Sequence, residues 1–430
     1  MEFKNLNSMK IIYKKIICFL FLILSITNVY SNDNINIDTE QENQLNLEDL
    51  VSIRNNIDLI SKEYFNDEYF NFQYSLKDTH FPEAYIYYQN NIVNYLFENL
   101  DKQKPVIAIL SFGFDSKYRD TLNTIYINRN EIPLNYKDDD SNGMVDDYDV
   151  IDFENRNFAI NYAIDFYNDK DYLLNNNPGF LTQLFLSSEI GNNYKYAGLL
   201  LDKAIKTLLI DISYQLSNTK TIGFLDAAIQ YILNMKDRGL NIVAVLLAVP
   251  ETIQISNVKY PLIKALADKR IFFIMPAGSY VADDNKGYKG HNLNKEESHP
   301  CFLKGKYEHD MQISLDNFLC VGFLDRKGKL KPDGMSNYGD KNVDLLTSGR
   351  FDIEADGNVL YSSMFSSAVI AAAVANAKIL YPNYSNEAIK QLIYNSGQKD
   401  KVSGAISDTL FRFDYLFEEL NNAGIGFNYN

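Results

Sequence analysis

The sequence predicts an α/β fold built on a mainly parallel sheet with helices on its faces, and three observations carry that expectation. Apolar runs without polar alternation, such as "PVIAIL" and "NIVAVLLAV", read as strands buried on both faces. Amphipathic stretches such as "IGFLDAAIQYILNMKDRG" lie between them, as helices joining parallel strands must. A chain of 430 residues, 46% of them hydrophobic, is long and apolar enough for one large core and a smaller segment.

In chain order, the sequence opens with Lys10, Lys14 and Lys15, an apolar run from Ile16 to Ile26, and Val29 and Ser31 at positions suited to a cleavage site. This is the pattern of a secretory signal peptide, and the apolar run falls short of the roughly 20 residues that a membrane span needs. Residues 1–31 are therefore expected to be removed, leaving a protein that is secreted, periplasmic or at the cell surface, with no membrane span. An uncleaved anchor is the alternative.

Residues 32–104 are polar and rich in Asn, Asp and Tyr, with helical patterns such as "LEDLVSIRNNIDLISKEY"; they read as an N-terminal leader or pro-like segment. The main domain, 105–400, then alternates "PVIAIL" (strand), "LTQLFLSSEI" (helix), "KTLLIDISY" (strand), "IGFLDAAIQYILNMKDRG" (helix), "NIVAVLLAV" (strand), "YPLIKALADKR" (helix) and "RIFFIMPAG" (strand). "NFLCVGFL" reads as a further core strand. Two helices follow. In "MFSSAVIAAAVANAKILYP" the small residues Ala368, Ala371, Ala372, Ala373 and Ala375 permit close packing, and in "SNEAIKQLIYNSG" Ser385 is placed to cap. Residues 401–430 form a C-terminal helical tail.

Net charge and cysteines narrow the function classes. A formal charge of −15 and a pI near 4.8 exclude nucleic acid as an expected partner, because an acidic surface repels phosphate backbones. Cys18 lies inside the apolar run, so Cys301 and Cys320 would remain after processing, either paired or as two buried thiols.

The order of these pieces resembles the subtilisin-like serine proteases (subtilases, peptidase S8) over roughly Pro105 to Gly397, and implies a three-layer fold in which the parallel sheet is flanked by helices. "INRNEIPLNYKDDDSNGMVDDYDVIDF" is similar to the acidic insert of bacterial members, "SNYG" to a family turn, and "YSSMFSSAVIAAAVA" to the family's GTSM turn and helix. The resemblance implies a catalytic Asp, His and Ser in that order, with an oxyanion Asn. Carried over, the Asp position falls on Ser111 in "SFG", the His position on Phe180 in "GFLTQ", the Asn position on Ser279 in "PAGS", and the nucleophile on Ser363. Only the serine is retained, and a serine just before a helix reads foremost as its N-cap.

The histidines make the loss independent of alignment register. They are His80, His291, His299 and His309, and none falls in the interval from Phe81 to Gly290 where the family order requires one. Pro250 and Tyr361 likewise replace residues at which the family receives substrate. The expected protein is an exported, degenerate subtilase without peptidase activity, its former cleft open to a peptide or protein partner. The alternatives are a serine endopeptidase with an unorthodox site on Ser363, and a non-catalytic surface or scaffold protein.

The acidic insert carries a separate expectation. "DDDSNGMVDDYD" sets Asp138, Asp140, Asn142 and Asp149 at oxygen-ligand positions of an EF-hand-like pattern, with Gly143 at the sharp turn. Calcium is the expected ion, and the resemblance implies calcium stabilisation too; a solvated acidic turn is the alternative.

Overall fold

All six side chains of β1 (Val106–Ser111) are buried, which an uninterrupted apolar run requires and an amphipathic strand would not tolerate. In this computed structural model the described residues are 47–92, 104–153, 177–216, 219–222, 224–249, 260–278, 290–295, 301, 316–324, 336–352, 359–398, 405–407 and 410–422. They fall within one unit, Leu45–Ile425. The signal-like segment, Pro250, Ser279, His299 and His309 lie outside the described residues.

After β1 come β2 (Val150–Asp152), β3 (Lys206–Asp211), the hairpin β4 (Ser213–Leu216) and β5 (Thr219–Ile222), β6 (Ile242–Leu247), β7 (Phe272–Pro276), β8 (Phe318–Leu324) and β9 (Leu345–Ser348). The ribbon β10 (Arg350–Asp352) and β11 (Val359–Tyr361), then β12 (Gly397–Gln398) and β13 (Leu410–Phe411), complete the strands. The main sheet runs β12-β13-β9-β8-β7-β6-β1-β3-β2. Every pair in it is parallel except β12 with β13 at one edge. "KTLLIDISY" is therefore two strands: β3 ends at Asp211, and the chain leaves the sheet to pair Ser213 with Ile222 in the hairpin.

The helices are α1 (Leu47–Asn55), α2 (Ile57–Tyr64), α3 (Tyr74–Asp78), α4 (Phe81–Asn91), α5 (Pro178–Ser187), α6 (Leu225–Asp237), α7 (Tyr260–Asp268), α8 (Ser363–Leu380), α9 (Asn386–Asn395) and α10 (Phe413–Asn422). Helices α6 and α7 share a core with Ala108, Leu110, Ile210, Val245 and Phe273, one face of the sheet. Side chains of opposite parity, among them Ile107, Ile109, Leu209 and Leu246, are also fully buried. Helices α5 and α8 pack across that second face. The result is three layers.

Helix α8 is the centre of the packing. Among the described residues it is the one helix long and apolar enough to cross a membrane, and the whole of it is buried inside the domain. Its alanines let strands approach closely, while Asn376 accepts from the Leu201 N–H and donates to the Leu199 carbonyl, both at 3.0 Å, clamping a loop onto the helix. Ser385 caps α9 as its position suggests, accepting from the Ala388 N–H at 3.1 Å.

The polar N-terminal helices are tied into the same unit. Gln73 exchanges two hydrogen bonds with the Ala197 backbone, Phe413 N–H donates to Thr79 O at 2.9 Å, and Arg54 pairs with Asp414 at 2.6 Å. Cys301 and Cys320 are paired in a disulfide with Cα atoms 5.8 Å apart, pinning residue 301 to β8.

Candidate functional site

The carboxyl ends of parallel strands are where an α/β sheet gathers its loops and places its ligands. Here β1, β6 and β7 end side by side and meet the starts of α5 and α8. Ser111 closes β1, fully buried, and its hydroxyl donates to the Ala248 carbonyl just beyond β6. A carboxylate could not make that bond, having no proton to donate at neutral pH. The buried carboxylate of this edge sits one strand over: Asp211 pairs in register with Ser111 and accepts from the Gly113 N–H at 3.2 Å.

Phe180 lies in the first turn of α5, against the β1 turn. Gly179 N–H donates to Phe112 O at 2.9 Å and Phe180 N–H to Gly113 O at 3.0 Å. This docking needs glycine, because a Cβ on Gly179 would stand 2.7 Å from the Phe112 carbonyl oxygen. The Phe180 ring is buried and meets Tyr118 edge to face at 5.1 Å. Ser111 and Phe180 are thus brought to one turn, and both face packed interior.

Ser363 is the first residue of α8 and is fully buried. It is not the cap. Ser362 fills that role with extended backbone, its hydroxyl accepting from Met364 N–H at 3.0 Å, because a cap residue must lie outside the helical dihedrals that Ser363 already has. The Ser363 hydroxyl instead accepts from the Gly278 N–H, just past β7, at 3.0 Å. The SNYG turn braces that glycine: Asn337 N–H donates to Gly278 O at 2.9 Å and its amide to Ala277 O at 2.8 Å.

Aromatic rings fill the space between α5 and the start of α8. Phe365 lies 5.2 Å from Phe185 and 5.2 Å from Phe351, Phe185 lies 5.3 Å from Phe351, and Tyr196 flanks Phe351 at 5.7 Å. Neither described histidine offers an obvious base. His80 sits before α4 with Nδ1 2.9 Å from Glu83, and His291 is placed through its main chain, donating to Asn337 Oδ1 at 2.8 Å.

The acidic insert is built differently. Its outer carboxylates are engaged by donors: Asp138 accepts from the Asn142 and Gly143 N–H groups, Asp139 from Ile132 N–H and the Asn135 amide, and Asp146 from the Asn135 and Tyr136 N–H groups. Asp149 accepts from the Ser116 hydroxyl at 2.6 Å and the Val150 N–H at 2.9 Å. The carboxylate oxygens that gather within 4.8 Å of one another belong to Glu131, Asp140 and Asp147. Of the four residues the spacing singled out, Asp140 alone is in that group. Burial pushes the Glu131 and Asp147 carboxyls above the usual carboxylate range, and the neighbouring carboxylates add to the rise. Glu131 and Asp147 belong to the "EIP" and "DD" elements of the insert. Asp211 had its own signal, a carboxylate ending the buried run "LLID".

No known protein-family signature matches the chain, and no curated protein matches it in sequence. Solved structures do resemble it. A structure described as the basis of subtilase cytotoxin SubAB assembly superposes with a TM-score of 0.50 at 10% identity, covering 81% of this chain and 97% of that one. The A-subunit of the AB5 toxin from E. coli gives 0.47 at 11% identity, covering 81% and 99%. The prenylagaramide maturation protease PagA gives 0.43 at 11%, covering 76% and 97%. The chain has a subtilisin-like α/β fold. Identity this low extends the likeness to the fold and no further, so activity must be argued from the residues themselves.

Proposed function

We propose that this chain is an exported, degenerate subtilisin-like protein that does not hydrolyse peptides and that engages a peptide or protein segment at the former cleft. One observation carries the reading: at the two positions where the resembled family holds its carboxylate and its base, Ser111 donates to Ala248 and Phe180 packs on Tyr118. Attack by a serine needs a base to take its proton, and loss of the base alone costs about 10⁶-fold in kcat in an enzyme of this kind. The complete burial of Ser363 supports the same conclusion. The Cys301–Cys320 pair supports export, since disulfides persist in oxidising compartments.

The second reading, an endopeptidase with an unorthodox site, rests on Ser363 keeping a backbone N–H partner at the edge of the sheet. A fluorophosphonate probe, which reacts with activated serines, separates the two. Ser363 is expected to stay unlabelled and peptide libraries to stay intact over hours. Stoichiometric labelling that disappears in Ser363→Ala would promote the endopeptidase.

A further inference from the structure

Large apolar side chains exposed singly are normal on a soluble protein, whereas a run of them marks a surface that something covers. In the acidic insert Ile132, Leu134 and Tyr136 are 61%, 62% and 61% exposed, with Pro133 exposed between them. No other five-residue stretch among the described residues exposes three large apolar side chains. The backbone sharpens the point. Leu134 and Tyr136 have φ of 65° and 60°, the left-handed region in which a Cβ is disfavoured and glycine is the ordinary occupant. Burial offers no compensation, since both side chains stand mostly in solvent. The segment is nonetheless fixed by its own polar groups. Asp139 Oδ2 accepts from the Ile132 N–H at 3.1 Å and from the Asn135 amide at 2.6 Å, and the two oxygens of Asp146 accept from the Asn135 and Tyr136 N–H groups at 3.0 and 2.9 Å. Backbone strain that is held so firmly, under side chains that do nothing for the core, points to a use outside the fold.

We propose that Ile132, Leu134 and Tyr136 form a preset anchor for a protein partner that offers an apolar pocket rimmed by lysine or arginine. The three side chains call for the pocket, and charge calls for the rim. From Arg129 to Asp149 the insert carries seven carboxylates against two cations, in a chain of net charge −15. The same excess opposes an anionic lipid surface and a second copy of this chain. Because the bonds to Asp139 and Asp146 already hold the presented shape, little ordering is left to oppose binding. Asn234 donates to the Asn142 carbonyl at 2.8 Å and Arg238 to the Asp140 carbonyl at 3.0 Å, which ties the insert to helix α6, on the sheet face opposite α5 and α8. The assignment is therefore independent of whether the former cleft binds or cleaves peptides.

The probe is a photo-crosslinker in the full chain, Tyr136→p-benzoylphenylalanine, irradiated in the source cells and their medium. It is expected to join the chain to one other protein. That protein, purified, should bind Leu134→Gly at least about tenfold more weakly than the native chain, and should lose at least about threefold in affinity for the native chain between about 50 mM and about 500 mM salt. Leu134→Gly removes the left-handed leucine, so it should melt no lower than the native chain, which separates loss of the anchor from loss of the fold. Ile132→Ser, at a position without positive φ, must show the same weakening. No adduct, an adduct of the chain with itself, equal binding by Leu134→Gly, or a lower melting temperature in that variant would each overturn the assignment. Sedimentation of the native chain with phosphatidylcholine vesicles that Leu134→Gly abolishes would overturn it in favour of a lipid surface.

Discussion

The strand-edge cleft and the acidic loop have kept opposite things. At the ends of β1, β6 and β7 the side chains pack on or bond to their neighbours: Phe180 on Tyr118, Phe365 between Phe185 and Phe351, and Ser111 on Ala248. In the loop the carboxylates stay, held by backbone N–H and amide donors, with one Glu131 oxygen left without a partner. Backbone strain divides the same way. Leu134, Tyr136, Ser141 and Asp146 are four of the seven non-glycine residues with positive φ among those described, and all four lie in the loop. Strained backbone persists only where surrounding contacts over-determine it, here the carboxylate-to-backbone bonds of Asp138 and Asp146. The packed strand ends need no strained non-glycine backbone, whereas the loop's turns are held by its own carboxylates.

The most forceful way to break this comparison is Phe365→Ala. If the ring cluster replaces a working cleft, the truncation should cost about 3–5 kcal/mol in denaturant unfolding, as for other buried phenylalanines. A cost below about 1 kcal/mol would mean the cleft is not packed as described.

A buried carboxyl outside both regions supplies a control. Burial pushes Asp67 up to about 6, opposed by the Gly191 and Asn192 N–H groups that its two oxygens accept. The folded carboxyl holds its proton to about pH 6, whereas the unfolded one releases it near 3.8. Its contribution is therefore fully present below about pH 4 and lost as pH rises through 6, by about 3 kcal/mol at most. Asp67→Asn should flatten that part of the stability profile. An unchanged profile would remove Asp67 as its source.

The smallest effects sharpen the reading of the two serines. Ser363→Ala leaves the Gly278 N–H without this acceptor and should destabilise by about 1–3 kcal/mol, whereas a strained nucleophile would give stabilisation on truncation. Ser362→Ala removes the α8 cap and should cost about 1 kcal/mol. Both are read by thermal or denaturant unfolding, and a reversal of sign at Ser363 would favour the endopeptidase.

The sequence by itself determined the parallel core and its central strands in chain order, because burial on both faces leaves a local imprint that each run carries alone. It also determined that no histidine stands between Phe81 and Gly290, since a count needs no coordinates. It misjudged "KTLLIDISY" because nothing within nine apolar-rich residues says that the ladder partner changes after Asp211. The tertiary structure alone decided that Ser362 caps while Ser363 reaches Gly278, since both are serines and differ only in backbone dihedrals. It alone joined Phe185, Phe351 and Phe365 from three separate segments, paired Cys301 with Cys320, and set Glu131 beside Asp147 under Tyr231. Those are contacts between elements distant in the chain, and their energies depend on distance and burial, which spacing along the chain does not encode.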